Sequence, residues 1–153
     1  MWKMLDKNLI YLDLDVQCSD DVMEILGGKL IETGYCKADY VEALKKREKE
    51  FPTGIDTGNI GIAIPHTAVD YVNKAKIAIA RLKKQVSFYQ MGNDDETVNV
   101  KLVFMLAVNN PEQHLEKLQN VVGIIQDETI LRKLLNAKTE DEIIEAIRKK
   151  ENL

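Results

Sequence analysis

The sequence predicts an α/β or α+β sandwich, in which helices pack against a sheet. Three observations support this class: strand-like alternation at residues 9–16, a nearly continuous apolar segment at residues 98–108, and helical patterns over residues 111–150. Strands interspersed with helices, followed by a group of helices, are typical of layered folds. Because the chain has 153 residues and no Pro-, Gly- or Ser-rich linker, we expect one domain that spans residues 1–153.

The first strand is predicted over residues 9–16, where apolar and polar side chains alternate. Alternate positions of a strand share a face of the sheet. The positions predicted to share one apolar face are Ile10, Leu12, Leu14 and Val16.

Two helices are predicted after this strand. Ser19 has a side chain favoured as an N-cap, and Gly34 is placed to end the first helix. The apolar stripe of this helix consists of Val22, Ile25, Leu26 and Leu30. The second helix is predicted over residues 38–50, and Arg47 is expected on or beside its apolar side. The stripe that Arg47 would continue consists of Tyr40, Val41 and Leu44.

The middle of the chain alternates between loops and strands. An irregular loop is predicted around Pro52, Gly54 and Gly58. Short strands are predicted at residues 60–64 and 76–82, and a turn at residues 93–95. Residues 98–108 are the strongest strand candidate, and their apolar second half predicts a central strand buried on both faces.

Three helices are predicted at the C-terminal end. Asn110 and Pro111 are favoured residue types for the N-cap and the first helical position. The stripe predicted to be buried in this helix is Leu115, Leu118, Val122 and Ile125. Further helices are predicted over residues 128–136 and 140–150, with Thr139 as the N-cap of the last.

Charge and composition disfavour several classes of partner. The formal net charge is −4, which argues against a nucleic-acid partner, since such proteins usually carry a basic excess or stripe. No apolar segment approaches the roughly 18–20 residues that span a bilayer, and residues 1–17 lack the apolar core of a secretory peptide. We therefore expect a cytoplasmic protein without direct membrane insertion. Cys18 and Cys36 are expected to be reduced thiols.

Three residues are candidates for chemistry. His66 lies directly after the strand at residues 60–64, where a rigid sheet can present a reactive group; the alternative is a surface loop histidine. His114 lies in the first turn of its helix beside the apolar stripe, and the alternative is a partly buried boundary histidine. Arg47 can present its planar fork to a phosphate, or its side chain can snorkel or form a salt bridge.

The sequence lacks the patterns of several other sites. It has no His-x-x-x-His or Cys-rich spacing for a metal, no glycine-rich nucleotide loop and no nucleophile elbow of a hydrolase. We therefore expect neither a metal nor another cofactor.

The motifs around the candidate residues resemble a known family. The segments that carry the resemblance are Arg47-Glu48, Thr53-Gly54, Gly61-Ile62-Ala63-Ile64-Pro65-His66-Thr67 and Gln113-His114-Leu115. Together they resemble the IIA component of the bacterial phosphoenolpyruvate-dependent sugar phosphotransferase system, in the fructose/mannitol superfamily. The resemblance covers about residues 5–147. Residues 51–55 and Thr67 resemble the galactitol-type branch, because mannitol-type members usually have a shorter loop and a glycine after the histidine.

Membership implies a mixed β-sheet with helices on both faces and a phosphocarrier function. By this resemblance, His66 is the phosphorylated histidine, His114 supports the phosphoryl group and Arg47 contacts it. The implied donor is the small carrier HPr, and the implied acceptor is a cysteine of a IIB component. The membrane IIC component would be an indirect partner.

Two other functions remain open at this stage. The chain could be a regulatory member of the same fold, whose phosphorylation state controls a target by binding. It could also be a small α/β interaction domain without phosphotransfer, in which His66 has no chemical role. Transfer to a IIB component distinguishes the first of these from a transport protein.

Overall fold

Residues 2–151 are described by a computed structural model and form a mixed sheet with helices on both faces, as predicted. The strands are β1 (Ile10–Leu14), β2 (Gly54–Asp56), β3 (Gly61–Ala63), β4 (Lys76–Gln90) and β5 (Asn93–Ala107). The helices are α1 (Ser19–Glu32), α2 (Tyr40–Glu50), α3 (Pro111–Ile125), α4 (Glu128–Asn136) and α5 (Glu140–Glu151). Within this described part, no helix has the length and apolar character needed to cross a membrane.

The sheet combines parallel and antiparallel pairs. β4 pairs with β1 in parallel and with β5 in an antiparallel ladder. β5 also pairs in parallel with β3, which forms an antiparallel hairpin with β2. β2 reaches the far end of β4 through the pair Gly54–Gln90. β5 therefore has strands on both sides, which confirms its predicted central position.

The sheet separates two apolar cores. One core lies under α1 and α2, and the other lies under α3, α4 and α5. Alternate side chains of β4 enter the two cores: Ala78 faces α1 and α2, whereas Ile77 and Ile79 face the C-terminal helices. Because both faces are buried, the central strands are apolar on both sides.

The predicted single face of the first strand is wrong in its second half. Ile10 and Leu12 pack on the side of the C-terminal helices, but Leu14 and Val16 pack on the opposite side. The pairing of β1 with β4 shifts between Tyr11 and Leu14, and Asp13 lies there with a φ of 55°. Such a bulge adds one residue to the alternation and moves the side chains after it to the other face.

Helix α1 begins at Ser19, so Cys18 is its N-cap, and the prediction for Ser19 is wrong by one position. The Cys18 side chain makes no capping bond, and the carboxylate of Asp21 instead accepts the backbone N–H of Gln17. Met23 is buried in this helix, whereas Ile25, which was predicted to lie in the buried stripe, is 37% exposed. The end of this helix is as predicted.

The segment around Gly54 was predicted to be an irregular loop, but it contains strand β2. A side chain at Gly54 would not fit, because a Cβ there would lie 2.6 Å from the carbonyl oxygen of Tyr89. β4 extends to Gln90, well beyond the predicted residue 82. The turn that follows contains Gly92, which has a φ of 78°, and the predicted turn residues 93–95 begin β5. A glycine accommodates this left-handed conformation readily, which is why the hairpin turns there.

The buried face of α3 differs from the predicted stripe by about one residue. Its buried apolar residues are Val121, Ile124 and Ile125, whereas Leu115 is 60% exposed and Val122 is 39% exposed. Apolar residues occupy positions 121, 122, 124 and 125, so two adjacent stripes satisfy helical spacing and only packing selects one. The capping predictions for the C-terminal helices α3 and α5 are confirmed. The side-chain oxygen of Asn110 accepts backbone N–H groups of the first turn of α3, and the hydroxyl of Thr139 accepts the N–H of Glu142 at the start of α5.

Arg81 connects the bulge of β1 to the end of α4. Its side chain is buried, and its Nε and Nη2 atoms donate to the carboxylate of Asp13 at 3.0 and 3.2 Å. Its Nη1 atom donates to the carbonyl oxygens of Leu134, Leu135 and Ala137 at 3.0, 3.1 and 2.7 Å. Terminal carbonyls of a helix need such donors, because no further turn satisfies them.

We expect Arg81→Met to lower the free energy of unfolding by about 2–4 kcal/mol, because it leaves the buried helix-terminal carbonyls of Leu134 and Ala137 without their donor, whereas the largely exposed carboxylate of Asp13 can bond water. Urea unfolding monitored by circular dichroism measures the loss. Lys83→Met is the matched control on the same strand, since Lys83 is exposed and should change stability by less than about 0.5 kcal/mol. Equal losses in the two variants would contradict the role of Arg81.

Candidate functional site

The two histidines of the chain meet at one edge of the sheet. His66 follows β3, and His114 lies in the first turn of α3, which follows β5. Because β3 and β5 run in parallel, their carboxyl ends lie at the same edge of the sheet. The ring centroids of His66 and His114 are 4.8 Å apart, with an interplanar angle of 64°. Two residues predicted from the sequence are therefore neighbours in one site.

The backbone at His66 is attached to the end of β5. The N–H of Leu106 donates to the carbonyl oxygen of Pro65 at 3.0 Å, and His66 forms an isolated parallel bridge with Leu106. This pairing continues the β3–β5 contact beyond Ala63. The segment before the histidine is therefore attached to the sheet by backbone pairing.

A hydrogen bond determines which nitrogen of His66 carries its proton. Nδ1 lies 2.8 Å from the carbonyl oxygen of Ile64. A carbonyl oxygen can only accept a hydrogen bond, so Nδ1 must be the donor. When the ring is neutral, Nε2 therefore has an available lone pair. This nitrogen can act as a nucleophile.

The surroundings keep both imidazoles neutral. Burial is the largest cause that lowers the pKa of His66 from its usual 6.5; the bond to Ile64 opposes this effect, and a charge on His114, when that ring is protonated, and the charge of Arg47 add to it. Burial and the charge of Arg47 likewise lower the pKa of His114. A neutral ring retains the lone pair needed for attack on phosphorus.

We expect both histidines of the folded protein to titrate below pH 6.5, because a lowered pKa means that the neutral ring persists to lower pH. NMR titration of the ring carbon-bound protons measures the two midpoints. The same chain unfolded in urea is the control, and its midpoints should return to about 6.5. A midpoint above that value for His66 in the folded protein would contradict the described environment.

Arg47 was predicted on or beside the apolar side of α2, and it lies beside that side, next to the buried Glu48. The side chain is exposed, and the buried stripe continues from Leu44 to Glu48. The guanidinium of Arg47 lies over the ring of Phe51, with 4.1 Å between its Cζ atom and the ring centroid. This cation–π contact holds the cation at the surface while its charge acts on both histidines.

Glu48 and Thr53 belong to the same neighbourhood and were assigned no role from the sequence. Both are buried, with exposed fractions of 9% and 2%. Burial raises the pKa of Glu48 to about 7, although its bonds to Thr53 oppose the change. One sequence signal could have identified Glu48: it lies four residues after Leu44, at the spacing of the buried stripe, where a carboxylate needs specific partners.

The site combines a nucleophilic nitrogen, a second imidazole and a guanidinium at the sheet edge. These groups can receive a phosphoryl group and stabilise its charge without a metal ion. Among the described residues, no group of three or more His, Cys, Asp or Glu side chains converges in a way that could hold a metal.

The fold is that of the mannitol-type IIA proteins of the sugar phosphotransferase system. The chain belongs to the family described as phosphoenolpyruvate-dependent sugar phosphotransferase system, EIIA 2, whose model matches residues 3–150. The family resemblance drawn from the motifs is thereby confirmed.

Three comparisons with known proteins describe the relationship. A galactitol-specific EIIA component of Escherichia coli K12 is 35% identical over 115 residues, which cover 75% of this chain and 76% of that protein. This chain is also similar to a chain of the solved complex of enzyme IIAMTL and phosphorylated enzyme IIBMTL from Escherichia coli. The TM-score is 0.78 and the identity is 25%, and the match covers 95% of this chain and 97% of that chain. The nitrogen regulatory protein IIA-Ntr of Neisseria meningitidis has a TM-score of 0.77 and 30% identity, covering 95% and 97% of the respective chains.

Proposed function

We propose that residues 1–153 act as one phosphocarrier domain, which accepts a phosphoryl group from phospho-HPr on Nε2 of His66 and transfers it to a cysteine of a IIB component. The observation that carries this proposal is the bond from Nδ1 of His66 to Ile64. It leaves Nε2 as the nucleophilic nitrogen of a ring that lies against His114.

The reaction consists of two displacements at phosphorus. In the first, the lone pair of Nε2 forms an N–P bond while the N–P bond of the donor's phosphohistidine breaks, and its electron pair returns to the donor imidazole. In the second, a cysteine thiolate of the IIB component forms an S–P bond and the N–P bond to His66 breaks. Nδ1 can keep its proton and its bond to Ile64 through both steps, so no metal or external base is needed at this ring.

Arg47 and His114 are proposed to stabilise the group in transit. The transferring group resembles metaphosphate, and catalysis depends on positioning and on charge at its oxygens. Arg47 supplies a positive charge in a planar fork, and His114 can donate a hydrogen bond to a phosphoryl oxygen. The N-terminus of α3, where His114 lies, adds partial positive charge. One arginine and one neutral histidine suit a carrier that must release the group again.

The proposed partners are HPr as donor, a IIB component as acceptor and the membrane IIC component indirectly. A IIB partner is supported by the complex solved for the IIAMTL relative. Exposed apolar side chains flank the candidate site and would suit protein contacts: Leu115 follows His114 and is 60% exposed, and Phe51 beneath Arg47 is 55% exposed. We place the protein in the cytoplasm, with neither nucleic acid nor a bilayer as a direct partner.

A regulatory function is the second candidate, favoured by the 30% identity with the nitrogen regulatory protein of Neisseria meningitidis. A regulator would keep His66 and accept the phosphoryl group, but it would control a target by binding. The two candidate functions therefore share the first displacement and differ in whether the phosphoryl group is then transferred to a IIB cysteine.

Intact-mass analysis tests the proposal. The protein is incubated with phosphoenolpyruvate, enzyme I and HPr, and galactitol- and mannitol-type IIB components are then added separately. We expect one acid-labile phosphoryl group on this chain, followed by its loss to a IIB cysteine. Phosphorylation without transfer to either IIB component would favour the regulator. Absence of the group from correctly folded protein would favour an interaction domain without phosphotransfer.

A further inference from the structure

A continuous chain of hydrogen bonds leads from Glu48 to the ring of His66. The carboxylate of Glu48 accepts the backbone N–H of Thr53 at 2.8 Å and its hydroxyl at 2.9 Å. The Thr53 hydroxyl oxygen accepts the backbone N–H of Ile64 at 3.1 Å. The carbonyl oxygen of Ile64 then accepts Nδ1 of His66 at 2.8 Å.

The first half of this chain fixes the hydroxyl of Thr53. When Glu48 is ionised, both of its oxygens can only accept, so the single hydroxyl proton of Thr53 is donated to Oε1 and the Thr53 oxygen presents a lone pair to the N–H of Ile64. The second oxygen of Glu48 is occupied by the N–H of Thr53. Because both side chains are buried, water cannot readily replace these bonds, and each bond is stronger than it would be at the surface.

The second half of the chain fixes the approach to His66. The β2–β3 ladder ends at the pair Gly54–Ala63. Just beyond that pair, the hydroxyl oxygen of Thr53 accepts a hydrogen bond from the N–H of Ile64. Ile64 is thereby held at its N–H by Thr53 and at its carbonyl by the histidine it orients. The position of one backbone residue therefore determines where the imidazole lies.

We propose that Glu48 and Thr53 are positioning residues, which hold Ile64 so that His66 keeps a proton on Nδ1 and presents Nε2 to the phosphoryl donor. Glu48 directly follows Arg47 in α2, and the two side chains leave the helix in different directions, one buried and one exposed. Anchoring Glu48 thus also fixes the helix that carries the proposed phosphate-contacting cation. The effect on transfer rests on the proposed function, whereas the effect on the ring does not.

Thr53→Val tests the proposal, because valine has a similar shape but no hydroxyl. We expect the rate of His66 phosphorylation by phospho-HPr to fall by about tenfold to a hundredfold through kcat, with little change in KM for HPr. Nitrogen-15 NMR of the unphosphorylated ring should show one Nδ1–H tautomer in the wild type and a mixture of tautomers in the variant. Thr53→Ser should restore both properties.

The matched control is Thr57→Val in the turn of the same hairpin. The Thr57 hydroxyl donates to the carbonyl oxygen of Ile60 and accepts the backbone N–H groups of Asn59 and Ile60, so its bonds lie outside the chain from Glu48 to His66. The Thr57→Val variant should therefore keep the wild-type rate of His66 phosphorylation and the wild-type tautomer of His66. If Thr53→Val does not fold, Glu48→Met replaces it, since methionine is of similar length but has no carboxylate oxygen to accept the two bonds of Thr53; the same losses are expected.

Two outcomes would overturn the positioning role. One is a wild-type tautomer and rate in folded Thr53→Val, or in Glu48→Met where that variant is needed; the other is an equal loss in Thr57→Val. If phospho-HPr does not phosphorylate the wild type but the tautomer shifts in Thr53→Val, positioning is supported and the proposed function fails. The two hypotheses are therefore tested separately.

Discussion

His66→Ala is expected to abolish phosphorylation completely, because it removes the nitrogen that forms the bond to phosphorus. The chain contains two histidines, and His114 lies 4.8 Å from His66 between ring centroids, so the experiment must show that His114 does not substitute. Intact-mass analysis after incubation with phosphoenolpyruvate, enzyme I and HPr measures the outcome. We expect no phosphoryl group on the variant and one on the wild type.

Two further variants make this result specific. His66→Asn can still donate to the carbonyl oxygen of Ile64 but has no nucleophilic ring nitrogen, so it should remain unphosphorylated while retaining the local hydrogen bond. His114→Ala keeps the proposed nucleophile and should still accept one phosphoryl group, though more slowly. Phosphoryl transfer to His66→Asn, or none to a folded His114→Ala, would reassign the acceptor.

Arg47→Gln is expected to slow phosphorylation of His66 by about a hundredfold to a thousandfold, because it removes a positive charge from the oxygens of the transferring group. The fold should be unaffected, since Arg47 is exposed on α2. Rapid-quench measurement of phosphorylation by phospho-HPr gives the rate. Arg47→Lys should recover only part of it, because an ammonium has neither the planar fork nor the same stacking on Phe51.

Lys46→Gln is the matched control, because it removes the same charge from an adjacent exposed position of α2. In this variant, His66 should be phosphorylated at close to the wild-type rate. If Arg47→Gln also reacts at the wild-type rate, Arg47 has no part in stabilising the phosphoryl group. If both variants are slowed equally, the effect is the general charge of the helix and not a specific contact.

Much of the architecture could be predicted because local signals agreed with the tertiary structure. The bounds of α4 were predicted to the residue, and the Asn110 cap fixed the start of α3. Two of the errors arose where local patterns permit two solutions. The bulge at Asp13 reverses a regular alternation, and α3 has apolar residues on two adjacent stripes.

The candidate site divides in the same way. His66, His114 and Arg47 could be selected because uncommon residue types stand in a recognisable motif. The proton position on His66 depends on a bond to Ile64, and the contribution of Glu48 depends on which side of α2 is buried. Neither is a property of residue type or spacing, so both required the packed structure.

The parallel pairing of β3 with β5 also has a consequence for the time at which a new chain becomes active. The strands that carry the two histidines to one edge are separated in the sequence by β4, and parallel pairing between distant segments forms slowly because a long loop must first be closed. We therefore expect His66 and His114 to come together late in folding, so that a partly folded chain would lack the assembled site.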